Sequence, residues 1–310
     1  MSFDADIYDQ THDVQIRQHE FASLDISSQA PRPETTASTV VVVSGAKAEK
    51  LAGGFFNISG GAVDSRGGFY FVDAHRQRIY RWDSAKRQLS TNDVSISPVN
   101  IAVDRAGNLM VVSDAGNGTV YAVDAGNKIT PLKPQPMIKS AGKNIYLPVS
   151  DWHLNRTSLS HPTGRFVSPD GTTVLPVGQD FLDGETSWGV KSSPPIRSFG
   201  LGRAVPGEPF YVADESHLRT WKAAVNADGS LTDFQLFAEV GAEGVTTDSR
   251  DNVYIAAGEI HVFDPAGKPI GTIEVPERPT QLLFGGKDKK TLFIAARSSL
   301  YSVQMKYPGK

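Results

Sequence analysis

The chain has 310 residues, 39% of them apolar and 21% charged, with a formal net charge of −3. That balance gives no general attraction to nucleic acid. No apolar run approaches the roughly eighteen residues of a membrane-spanning helix. The absence of cysteine removes disulfides and thiol catalysis. The expected partner is a small molecule or a carbohydrate, with no nucleic acid and no membrane.

In chain order, residues 1–39 hold Gln, Ser, Thr and acidic residues with Pro31 and Pro33 and little periodicity, so they read as a poorly structured tail or linker. No signal peptide is legible there, and the compartment stays open. From Val40 onward, short apolar stretches alternate with polar turns. Val63-Asp-Ser-Arg-Gly-Gly-Phe-Tyr-Phe-Val-Asp73 is followed by Arg78-Ile-Tyr-Arg-Trp-Asp83. Val103-Asp-Arg-Ala-Gly-Asn-Leu-Met-Val-Val-Ser113 is followed by Thr119-Val-Tyr-Ala-Val-Asp124. Weaker copies run through Ser168-Pro-Asp-Gly171, Val205 to Asp214 and Gly286 to Ala296. Glu243-Gly-Val-Thr-Thr-Asp248 opens the clearest one. Period-two alternation bounded by Asp, Asn and Gly is the pattern of short antiparallel strands.

Six copies open at Ser59, Pro98, His161, Ser198, Glu243 and Pro279, at spacings of 39, 63, 37, 45 and 36 residues. A period near forty with about four strands predicts an all-β fold, a six-bladed β-propeller spanning residues 40–310. The wide second spacing places a long insertion at about residues 130–160. Either Val40–Val43 or Leu51–Phe56 is expected to complete the last blade from outside, since closure removes exposed sheet edges.

In such a ring, the loops that lead into the innermost strands and those between second and third strands share one face. A ligand site belongs there. Ser59, Asn100, His161, Arg197 and Glu243 stand at the first kind of loop. His75, Asp180, His217 and Arg297 stand at the second, and His153 lies in the insertion. Asp73, Asp114 and Asp214 recur at one repeat position and read as caps of the turn backbone. Glu243 is different, because a carboxylate in a narrow channel costs several kcal/mol unless a cation or donor accompanies it. Glu243 is the expected general base. His153, His161 and His217 are acid–base candidates. Arg297, Arg197, Asn100, Ser59, Asp180 and His75 are candidate substrate contacts. No Gly-x-Ser-x-Gly, P-loop, His-Glu-x-x-His or EF-hand string is present.

The last third resembles the superfamily of senescence marker protein, gluconolactonase and luciferin-regenerating enzyme. The resemblance rests on Glu243-Gly-Val-Thr-Thr-Asp248, Asn252-Val-Tyr-Ile-Ala-Ala257, Pro279-Thr-Gln-Leu-Leu-Phe284 and Lys290-Thr-Leu-Phe-Ile-Ala-Ala-Arg-Ser-Ser-Leu-Tyr301. It extends over residues 59–124 and 198–303. What it implies is a propeller with one divalent cation, often calcium, and an enzyme that opens lactones of sugar acids. The family's first-blade Glu corresponds to Ser59-Gly-Gly61, its middle-blade Asn to Ser198 through Gly200, and its later Asp to Glu243. Glu243 would thus be the sole charged ligand if a cation binds. Two rivals stay beside the lactonase-like hydrolase: a non-catalytic carbohydrate- or protein-binding propeller, as part of a larger secreted protein, and a metal-independent lyase on an acidic sugar.

Overall fold

The computed structural model describes residues 40–92, 96–113, 120–124, 126–132, 144–151, 164–167, 173–177, 201–214 and 217–310. After β1 (Glu49–Gly53), two meanders follow: β2 (Ile58–Val63), β3 (Phe69–Asp73), β4 (Arg78–Asp83), β5 (Gln88–Asn92), and β6 (Pro98–Val103), β7 (Leu109–Ser113), β8 (Val120–Val123), β9 (Ile129–Leu132). Next come β10 (Asn144–Pro148), β11 (Ser150–Asp151), β12 (Gly164–Val167), β13 (Thr173–Val177) and β14 (Leu201–Ala204). The remainder is β15 (Pro209–Asp214), β16 (Arg219–Val225), β17 (Leu231–Ala238), β18 (Val245–Thr247), β19 (Val253–Ala257), β20 (Glu259–Phe263), β21 (Pro269–Ile273), β22 (Pro279–Gly285), β23 (Thr291–Ala296) and β24 (Ser299–Gln304).

The strands are short because one turn recurs. Asp64 Oδ1 accepts the N–H groups of Arg66 and Gly68, and Gly67 takes a φ of 82°. Asp104, Asp124, Asp248 and Asp264 cap the same turn in other blades. A carboxylate that binds the backbone two and four residues on makes the reversal local. Burial grades outward from the axis. Every residue of β6 and β7 is buried, whereas β5 and β9 are largely exposed. Inner strands are covered on both faces by neighbouring blades, which is why they read as continuous apolar runs.

Four-stranded sheets form from β2–β5, from β6–β9, from β18–β21, and from β22–β24 with β1 added outside β24. In that last sheet Glu49 stands opposite Ser302 and Gly53 opposite Ser299. β15, β16 and β17 make a fifth meander, flanked by the two-residue β11. The all-β propeller class is therefore as expected, and among the described residues the blade count is five where six was expected.

The physical reason for the missing blade lies in the insertion. Its strand at residues 144–151 takes hydrogen-bonding edges that two repeats would have used on each other. β10 pairs antiparallel with β14 and parallel with β13, while β11 runs parallel to β15. Val149 O accepts the N–H of Ala213 at 2.9 Å. With its backbone so engaged, β14 does not join β15 in a blade. The mixed sheet β12-β13-β10-β14 fills the remaining sector: Leu175 and Leu201 pack with Val99 and Met110 on one side, and Ile145 and Leu147 with Phe210 and Val212 on the other. The expected 1–39 tail lies outside the described residues.

Candidate functional site

The inner strands β2, β6, β18 and β22 begin on one face, called leading below, and end on the other, the trailing face. Neighbours agree in direction: Gly244 N–H donates to Thr280 O where β18 and β22 start, and Gly286 N–H donates to Gly67 O beyond the ends of β22 and β2.

Three inner strands carry a bulge at the leading face. Pairing slips between Ile58 and Gly60, between Pro98 and Asn100, and between Pro279 and Gln281. A bulge frees one residue from the ladder and re-aims its side chain, which leaves Ser59, Val99 and Thr280 out of register. Ser59 Oγ donates to Val99 O at 2.8 Å, and Thr280 Oγ1 donates to Ala295 O at 3.0 Å. Both hydroxyls therefore fasten strands together.

Glu243 occupies the matching place just before β18. Its N–H donates to Ala256 O, and its carboxylate lies 3.5 Å from Arg278 Nη2. The Glu243 side chain is only 14% exposed and Arg278 47%. The compensating cation required by a half-buried carboxylate is thus Arg278, one residue ahead of β22. Sequence reasoning asked for a partner without naming it. The usable signal was a charged residue adjoining the start of the next blade.

Close packing of blades fixes this ring. A Cβ on Gly244 would stand 2.8 Å from Gln281 Cα, and one on Gly60 would stand 2.2 Å from Asn100 Oδ1. Asn100 is 3% exposed and its Oδ1 accepts Ile101 N–H. Gln281 is 1% exposed, and neither atom of its amide has a hydrogen-bond partner among the described residues.

Further out on the leading face, His217 Nδ1 stands 2.9 Å from Asp214 Oδ2, and Asp214 Oδ1 accepts His217 N–H. Asp214 is buried while the His217 side chain is 68% exposed. Asp73 accepts the N–H groups of Phe56 and Arg76, so Asp73 and Asp214 both cap their turns as expected. His75 stacks on Phe56 at 3.7 Å between ring centroids. Arg297 is exposed on the β23–β24 turn, and its carbonyl accepts Ile58 N–H. Of the expected site residues, His153, His161, Arg197 and Asp180 lie outside the described residues.

The described donors do not suit a calcium ion, which takes six to eight oxygens and gains affinity with each carboxylate. The described leading ring offers one carboxylate, already beside Arg278, one Asn amide, and hydroxyls given to carbonyls. Among the described residues no three His, Asp or Glu side chains gather. At the trailing face, a cavity of about 750 Å³ is lined by none of Glu243, His217, Arg297, Asn100, Ser59 or His75.

This architecture has known counterparts. Residues 199–298 match the family described as SMP-30/Gluconolactonase/LRE-like region. The superfamily resemblance read from the sequence thus holds over a third of the chain, and that third contains Glu243, Arg278 and His217. No curated protein matches. Among solved structures, a provisionally assigned gluconolactonase superposes with a TM-score of 0.60 at 21% identity, covering 90% of this chain and 98% of its own. A gluconolactonase from Xanthomonas campestris gives 0.58 at 19% identity, covering 87% and 93%. Regucalcin from Agrobacterium tumefaciens, described as calcium-binding, gives 0.56 at 13% identity, covering 84% and 94%. At these identities the superpositions establish the fold. The SMP-30/gluconolactonase/LRE-like match likens residues 199–298 to that family.

Proposed function

We propose that this chain is a hydrolase of small sugar-derived lactones that works at the leading face with Glu243 as general base and without a resident metal. The observation that carries it is the half-buried Glu243 carboxylate beside Arg278 at the start of β18, inside the matched region. Support comes also from the gluconolactonase-like superpositions.

Glu243 takes a proton from water as the water oxygen bonds to the lactone carbonyl carbon. The ring C–O bond then breaks, the proton passes to the leaving alkoxide, and the resulting hydroxy acid releases its carboxyl proton to solvent to become a hydroxycarboxylate. Arg278 balances the carboxylate before and after the transfer. Arg297, on the same face, is the candidate contact for an anionic substituent.

The His217–Asp214 pair favours a second reading, a metal-independent lyase on an acidic sugar. A carboxylate on Nδ1 orients the ring and leaves Nε2 to exchange a proton. The engagement of Ser59 and Thr280 with backbone favours a third, a non-catalytic carbohydrate- or protein-binding propeller.

Titrimetric assay of a panel of aldonolactones separates these. Loss of turnover in Glu243→Gln with an unchanged melting temperature supports the hydrolase. Turnover lost only in His217→Gln, with release of an unsaturated product, supports the lyase. Saturable sugar binding with no turnover anywhere supports the binding module.

A further inference from the structure

We propose that the trailing mouth of the channel is a second binding site, one for a hydroxylated organic anion of monosaccharide to disaccharide size. Its cavity of about 750 Å³ falls within the range of small-molecule sites. An inner strand such as β2 has six residues, and at about 3.3 Å each the two mouths lie on the order of 20 Å apart. The cavity wall reaches inward to Gly61, Val245 and Leu282 but includes none of Glu243, His217 or Arg297.

The charge inventory of the wall decides the ligand. Among the described residues four carboxylates line it, and each has a partner. Asp64 pairs with Arg81 at 3.2 Å, Asp104 accepts two bonds from Asn108, and Glu208 and Asp251 share Lys310. Four further cations line the wall: Arg105, Arg203, Lys287 and Lys289. Among the described residues, Arg203, Lys287 and Lys289 have no carboxylate partner. With Lys310 counted, five described cations line the wall against four carboxylates, an excess that favours small anions.

The rest of the lining suits a polyol. Ser65, Thr246 and Ser249 bring hydroxyls, while Tyr146, Phe210 and Phe284 supply rings against which the C–H faces of a sugar pack. Carboxylate and phosphate share the anionic oxygens this wall would hold. The two sources are told apart by gluconate and glucose 6-phosphate, with glucose as the neutral control.

Calorimetric titration of the full chain with the three compounds, at low and high salt, tests the site by binding and is independent of turnover. One or both anions are expected to bind more weakly as salt rises, and glucose not to bind. The triple variant R203Q/K287Q/K289Q should lose about tenfold or more in affinity, and Glu243→Gln should bind as the parent does. Should the triple variant unfold, K287Q alone, on an exposed turn, should still weaken binding about threefold. The proposal is overturned if neither anion binds, if glucose binds equally well, if all the lysine and arginine variants bind unchanged, or if Glu243→Gln abolishes binding.

Discussion

Tyr254 donates its phenolic hydrogen to Asp248 Oδ2 across 2.8 Å, and both side chains are fully buried. The same carboxylate accepts the backbone N–H groups of Arg250 and Asn252 and the side-chain amide of Asn252. One buried acid thus organises the β18–β19 turn and anchors the core ring of β19. Tyr254→Phe removes one donor and should lower stability by about 1–2 kcal/mol in urea unfolding.

The same pair sets an alkaline limit. Burial, and then the adjacent Asp248 charge, push the Tyr254 phenol well above its ordinary value. A group whose folded value is raised contributes stability that is full below the unfolded value, near pH ~10, and is lost as pH climbs from there toward the folded value. Unfolding measured between about pH 8 and 11 should steepen in the parent and flatten in Tyr254→Phe. Equal slopes would refute the assignment.

Glu277 gives the acid-side counterpart. Burial opposes its ionisation, but the hydroxyls of Ser299, Ser298 and Tyr301 and the ammonium of Lys50 hold its carboxyl below the ordinary value. Its contribution is therefore present above the unfolded value, about 4.3, and disappears as pH falls through the lower folded one. Glu277→Gln should be less stable than the parent at neutral pH, with the gap closing by about pH 3 in denaturant titrations.

Gly244 permits the approach of β18 to β22. Gly244→Ala places a methyl against Gln281 Cα and Thr280 O, both backbone atoms that cannot turn aside. A loss of about 1–3 kcal/mol is expected in thermal unfolding. Lactone turnover should fall with it, because Glu243 is the preceding residue.

Gln281 runs the other way. An amide buried with neither atom bonded is a standing penalty, and Gln281→Met keeps the length while removing the polar atoms. Stability should rise by about 1 kcal/mol. A clear decrease in melting temperature would show that the amide is satisfied in solution.

Calcium should matter little. If the leading ring holds no site tighter than about millimolar, 1 mM calcium adds no more than about 0.4 kcal/mol, and a chelator should leave the melting curve in place. A rise of several degrees would contradict the donor inventory.

The propeller was legible because its turns are written locally: Asp64, Asp104, Asp248 and Asp264 each close a reversal within four residues. The number of blades was not. It depends on whether β14 bonds to β15 or to a strand from the insertion, a competition between distant backbones that residue patterns do not encode. Glu243 stands out in the sequence through its charge, and the structure sets Arg278 beside it. Arg278 was passed over because it belongs to the neighbouring blade and comes close only when β18 and β22 lie side by side. The bulges at Ser59 and Thr280 were equally silent, since a one-residue slip leaves the alternation of apolar residues intact on either side.

Because Glu49 sits against Ser302, the seam joins an early segment to the last strand. During synthesis, the five other described sheets would wait unlatched until the ribosome had delivered β24. Chaperone dependence should accordingly be greatest before β24 is made, and a nascent chain stalled after β23 should present an open outer strand as bait for self-association.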